Sequence, residues 1–97
     1  MPRATSRKQR LDPPAMPPGR VLAEIYMRDH NMSQTDLAKK IGCAHRKINE
    51  IVNGKRSITP EFALELEKIF KAPADMWVRI QAEYDLWIVR KKRKHAA

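Results

Sequence analysis

His45, Arg46, Lys47, Asn49 and Glu50 fall within six consecutive positions, and each carries a side chain suited to the edges of nucleic-acid bases. Arg46 can present a fork to guanine O6 and N7, Asn49 can reach adenine or a phosphate, and His45 can donate to either. Glu50 suits a cytosine amine, or else orients Arg46. Lys55 and Arg56 come just after, and Gln34 stands upstream beside the free amides of a helix start. These three are placed to hold phosphates, which set register rather than sequence. Thr35 and Asn53 complete the set of candidate DNA contacts. A run of charge is most often only a solvated face. Here the apolar residues beneath the charges are spaced so as to aim them in one direction.

That spacing predicts two helices joined by a tight turn. Ser33 is placed to cap the first, in which Leu37 and Ile41 recur at i, i+4 and small Ala38 permits close approach of a second helix. Gly42 breaks it. After about three residues a helical period resumes, with Ile48, Ile51 and Val52 as its buried edge, and Asn53-Gly54 supplies a left-handed stop. Residues 33–56 therefore read as a helix-turn-helix whose second helix enters a major groove. Ala44 stands where a Ser or Thr would usually cap that helix, so Cys43 or a water is expected in that role.

The flanking segments supply a platform. Pro18-Gly19 opens a helix to about His30, with Val21, Leu22 and Ile25 as its stripe and Asn31 as its stop, packed beneath the motif. Thr59-Pro60-Glu61 combines an N-cap, a proline and an acid at a helix start, followed by Phe62, Ala63, Leu66, Ile69 and Phe70. A last helix begins at Pro73 and is expected to dissolve into the basic tail after residue 89. The pattern predicts an all-α, five-helix domain over residues 18–89. A basic, proline-rich arm precedes it at 1–17 and a basic tail follows at 90–97. Met76, Trp77 and Ile80 are expected in the core. Tyr84, Trp87 and Ile88 lie near the end of the fold, where a dimer contact and core packing are both open. A two-fold dimer would read two half-sites.

Composition narrows the partners. The 97 residues carry a formal charge of +9, which suits a polyanion. Nine cations of the two ends, Arg3, Arg7, Lys8, Arg10 and Arg90 to Lys94, equal that excess. Residues 11–89 hold eleven basic and eleven acidic side chains. Within that balance, residues 33–56 bear six cations against Asp36 and Glu50, so the remainder is acidic. Glu61, Glu65 and Glu67 are part of it, and such a face could meet a basic protein. No apolar stretch approaches a transmembrane helix, and the N-terminus lacks a secretory core, so a soluble cytosolic protein is expected, with no membrane partner. Lone Cys43 reads as a small apolar plug, and His30, His45 and His95 have no metal-ligand spacing with it. Neither metal nor cofactor is expected. No phosphate-cradling glycine loop or nucleophile arrangement suggests an enzyme.

Three segments together resemble a known family. Pro18-Gly19-x-x-Leu22, the run from Val52-Asn53-Gly54-Lys55-Arg56 through Glu61, and Trp77-x-x-x-Gln81-x-x-Tyr84-Asp85-Leu86-Trp87 are similar to HigA-type antitoxins. That branch belongs to the phage-repressor-like (Xre/Cro) helix-turn-helix proteins. The resemblance covers about residues 17–88 and implies a lambda-repressor-like domain, a homodimer in the bacterial cytosol at the nucleoid, and binding to double-stranded operator DNA. It also implies repression of its own operon and neutralisation of a co-encoded HigB-type toxin that cleaves mRNA. The chain departs from the family pattern at Met16-Pro17, Arg20 and Ala72. Two other readings stay open, an orphan regulator without a toxin and a tail-driven, nonspecific nucleic-acid binder.

Overall fold

Gly42 adopts a left-handed backbone, φ 85°, and ends the first motif helix. Without a Cβ it makes this turn at no steric cost. The computed structural model describes residues 16–96, so the expected N-terminal arm lies outside the described residues apart from Met16 and Pro17. Helix α1, Pro18–Val21, runs directly into a π-helical segment, Leu22–Met27. Then come α2, Gln34–Ile41, α3, His45–Val52, α4, Pro60–Phe70, and α5, Ala74–Ala96. All regular structure among the described residues is helical. The fold is the five-helix, all-α arrangement that the sequence pattern predicts, and it is the lambda-repressor-like one that the resemblance implies.

Local chemistry sets most boundaries. The Ser33 side chain accepts the Asp36 N–H at 3.0 Å, and the Asp36 carboxylate accepts the Ser33 N–H at 3.1 Å, so two otherwise orphaned amides are satisfied reciprocally. The Thr59 hydroxyl accepts the Phe62 N–H at 3.2 Å and Pro60 sets the first turn of α4. Asn31 and Lys71 take left-handed backbones, φ 51° and 60°, after the first helical segment and after α4. The Glu67 carboxylate then accepts the Ala74 N–H at 3.3 Å, tying the start of α5 to α4. Ala44 precedes α3 with no side-chain cap, so the bond expected from Cys43 is not made.

Two expectations are corrected. Ile25, assigned to the buried stripe of the first helix, is 43% exposed, whereas Leu22 and Met27, five residues apart, are both buried. The π-helical winding explains this, because its i, i+5 hydrogen bonding brings residues five apart onto one face and turns Ile25 outward. The second correction concerns the basic tail. Instead of dissolving after residue 89, α5 continues through Ala96. Lys, Arg and Ala are good helix formers, and cations at a helix C-terminus meet the negative end of its dipole. The Lys91 ammonium adds a contact, lying 4.9 Å from the Trp87 ring centre.

The core gathers where the five helices converge. Leu22, Leu37, Ile48, Ile51, Leu66 and Trp77 are its largest fully enclosed side chains. Each buried Leu or Ile of this kind contributes about 1.5–3 kcal/mol. Trp77 is covered by Tyr26, ring centres 5.0 Å apart, and Tyr26 reaches Phe70 at 5.7 Å. Met76 and Ile80 are half-buried around it, as the sequence predicts. Helix α4 packs on α5, α2 on α3, and α1 touches both α3 and α5. The motif thus rests on a platform whose apolar contacts cross all of the helices.

Candidate nucleic-acid interface

The buried edge of α3, Ile48 and Ile51, decides what its other faces offer to solvent. His45, Arg46 and Asn49 are exposed, and Glu50 is partly covered. Hydrogen bonds join this face to both flanks. The Asn49 Nδ2 donates to Gln34 Oε1 at 3.2 Å, linking α3 to the first turn of α2. The Asn53 Nδ2 donates to the Asn49 carbonyl at 2.9 Å and to its Oδ1 at 3.2 Å. Asn49 still keeps one amide proton and one lone pair of Oδ1, enough for a paired contact to a base.

Glu50 is the electrostatic centre of the surface. Its Oε2 accepts the Arg46 Nε–H at 3.1 Å, and its Oε1 accepts the Arg56 Nε–H at 3.0 Å and forms an ion pair with Arg56 Nη2 at 2.8 Å. Hydrogen bonds from Arg56, and next from Arg46, hold the Glu50 carboxyl below its ordinary value. Glu50 is therefore in contact with Arg46, one turn away on α3, as well as with Arg56. Arg56, expected on phosphates, gives one edge of its guanidinium to Glu50.

The structure brings Gln34, Asn49 and Asn53 into one chain of bonds, and Arg46, Glu50 and Arg56 into another. Thr35, His45 and Lys55 are exposed at their margins. Lys47 stands apart, half-buried, with its ammonium 5.4 Å from the ring centre of Phe62 on α4. Two residues named in the family-like segments have supporting roles that the sequence reading did not assign. Gly19 presses against the backbone of α3, where a Cβ would stand 2.9 Å from the Ile51 carbonyl carbon and 3.1 Å from Val52 Cα. Gln81 Oε1 accepts the Ile58 N–H at 2.9 Å and so fixes the loop after α3. The glycine beside Pro18 was a visible signal for the first, whereas the segment that contains Gln81 did not indicate its partner 23 residues away.

Residues 24–77, which include the whole motif and α4, match the model of the helix-turn-helix family. The chain belongs to that family. A whole-domain likeness extends this to the HigA branch. The structure of an addiction module antidote protein of the HigA family from Coxiella burnetii is 34% identical, covers 84% of this chain and 88% of that one, and superposes with a TM-score of 0.76. Virulence-associated protein I of Dichelobacter nodosus is 40% identical over 73 residues, which are 75% of this chain and 68% of that protein. The Pseudomonas aeruginosa antitoxin HigA, in a structure with the higBA promoter, shares the fold at a TM-score of 0.79 and 24% identity, covering 86% of this chain and 90% of that one.

On α5, Tyr84, Trp87 and Ile88 are half-buried, and the Tyr84 and Trp87 rings lie 6.1 Å apart. Leu86 and Val89 beside them are 51% and 45% exposed. Among the described residues no cluster of three or more His, Cys, Asp or Glu could hold a metal ion. No described helix is long and apolar enough to cross a membrane.

Proposed function

We propose that this helix-turn-helix protein is an operator-binding repressor that reads the major groove with α3 and serves as the antitoxin of a HigB-type mRNA-cleaving toxin. The observation that carries the DNA reading is the continuous polar surface of α3. Arg46, Asn49 and His45 project from it, while Gln34, Glu50 and Asn53 hold its side chains from both flanks. Direct base contacts come from Arg46, Asn49 and His45. Gln34, Thr35 and Lys55 meet phosphates at the edges. The promoter complex of the Pseudomonas aeruginosa HigA antitoxin supports this reading through the shared fold.

Tyr84, Trp87 and Ile88 join two copies, so that two α3 helices face half-sites about one DNA turn apart. The domain then comprises residues 18–89, and the arm and the basic end add phosphate contacts outside the half-sites. The toxin meets the acidic side of the molecule. On α4, Glu61 is exposed one turn from Glu65, which pairs with Lys68 at 3.7 Å, while Glu67 lies around the helix and caps α5. A ribonuclease that binds mRNA is expected to be basic, so opposite charges would steer the encounter.

The test is a titration of the purified protein against the DNA upstream of its own gene and against a scrambled duplex of equal length, with and without the adjacent gene product. A strong preference for the upstream DNA, altered by that product, is the expected result. Preference without any effect of the product leaves an orphan regulator. Equal binding to both duplexes leaves a nonspecific binder driven by the basic ends.

A further inference from the structure

Glu50 divides its two carboxylate oxygens between two arginines that it treats differently. Arg56 approaches side-on, its Nε donating to Oε1 at 3.0 Å and its Nη2 lying 2.8 Å from the same oxygen. Arg46 gives Oε2 only its Nε, at 3.1 Å. A guanidinium carries five N–H donors in a rigid plane, and guanine O6 and N7 accept a parallel pair of them. In Arg56 the Nε/Nη2 edge is occupied. In Arg46 the terminal Nη1/Nη2 pair is uncommitted, and its side chain is 86% exposed against 50% for Arg56.

We infer that Glu50 is a positioning residue that aims the terminal N–H pair of Arg46 at a guanine in the major groove, and that Arg56 is the brace that holds Glu50 in place. This rests on the reading of α3 as the DNA interface and deepens it by naming the base. Three features of the arrangement fit the role. The Arg46–Glu50 pair is i, i+4 along α3, so the helix itself sets its reach. Arg56 comes from the loop after the helix, which is held at both ends, by the Lys55 N–H on the Glu50 carbonyl at 2.8 Å and by Gln81 on the Ile58 N–H, so the brace is fixed from α5 as well as from α3. A guanidinium whose plane is already restrained loses less freedom on meeting a base, which is the advantage of preorganisation.

On a sequence without guanine at that position, the aimed pair of Arg46 gains no paired contact, so the gain from preorganisation is confined to the operator. Arg56, by contrast, is removed from the set of simple phosphate anchors. Its loss is expected to relax sequence preference, where the loss of Lys55 lowers affinity for every duplex alike.

The experiment measures dissociation constants of full-length wild-type protein, E50Q, E50D and R56K for the upstream operator duplex and a scrambled duplex, at one salt concentration. A set of operators with single guanines replaced by 7-deazaguanine is titrated alongside. E50Q keeps the length of the side chain without its charge, and E50D keeps the charge but shortens the reach. All three variants are expected to lower the operator-to-scrambled ratio by about tenfold. Wild type is expected to lose about tenfold at one 7-deazaguanine position, with that loss absent in R46A. An E50D ratio equal to wild type reduces Glu50 to its charge and overturns the inference. So does an equal fall on both duplexes in every variant, and so does a wild type indifferent to every 7-deazaguanine. A wild type that binds operator and scrambled DNA alike overturns the DNA-reading proposal, and this inference with it.

Discussion

Gly19 packs directly on Ile51, so close that a Cβ at Gly19 would overlap the Ile51 carbonyl oxygen and stand 2.9 Å from its carbonyl carbon. This contact seats α1 on the last turn of α3, and the neighbour it meets is backbone, which cannot rotate away. Gly19→Ala is expected to force the two helices apart, at about 1–3 kcal/mol, the usual cost of overpacking. Thermal unfolding checks it, since each kcal/mol moves the midpoint by roughly 4–8 °C in a domain of this size. An unchanged midpoint would show that α1 yields without cost.

Arg46 and Lys55 should separate sequence reading from simple adhesion. Arg46→Ala is expected to weaken operator binding by about 1–3 kcal/mol and to relax preference at one position. Lys55→Ala is expected to weaken operator and random DNA by the same factor, with a shallower salt dependence. Competition binding against a set of single-base operator variants reads both effects. Parallel losses for the two mutants would contradict the division of roles.

The capping box of α2 makes stability depend on pH. The backbone N–H of Ser33, and then its side chain, hold the Asp36 carboxyl below its ordinary value. The native state therefore binds fewer protons than the unfolded chain between the lowered value and the ordinary one. This contribution is fully present above about pH 4 and is lost as pH falls through the native value. Urea unfolding followed from about pH 6 downward through the acid range should show a smaller acid loss for Asp36→Asn than for wild type. Equal losses would place the acid sensitivity elsewhere.

Trp87 gives the dimer proposal its handle. A Trp87→Glu chain is expected to keep its helical spectrum, because Trp87 is only half-buried, and to sediment as a monomer where wild type sediments as a dimer. Its operator affinity falls because the second half-site is no longer linked to the first. A dimeric Trp87→Glu protein would move the contact to another surface.

Deleting residues 90–97 removes the last turns of α5 and five cations, Arg90 to Lys94. The plot of log affinity against log salt is expected to flatten by up to about 0.9 for each phosphate that these cations neutralise, while the preferred sequence stays the same. An unaltered slope would mean that this end does not touch DNA.

Much of the fold could be read along the chain because its signals are local. Ser33, Gly42, Gly54, Thr59 and Pro60 mark helix starts and stops through hydrogen bonds and backbone angles that span four or five residues. The spacing of Leu37, Ile48, Ile51, Phe62 and Leu66 follows the helical period itself, and the Arg46–Glu50 pair is an i, i+4 relation of the same kind. For these, residue types and separations are enough. Ile25 departs from its expected phase where the chain winds as a π-helix and the period of 3.6 no longer applies.

The relations that shape the proposed interface are of another kind. Asn49 meets Gln34 across a turn, Arg56 folds back on Glu50 from a loop, Lys47 leaves the polar face for the Phe62 ring, and Gly19 lies against Ile51. Each depends on how two helix axes cross and which rotamers survive the packing between them, and no periodicity along one segment encodes that. The residue types in the polar cluster were therefore legible one by one. Which of them brace, which read and which turn away was decided by the packing that brings distant segments within a few ångströms.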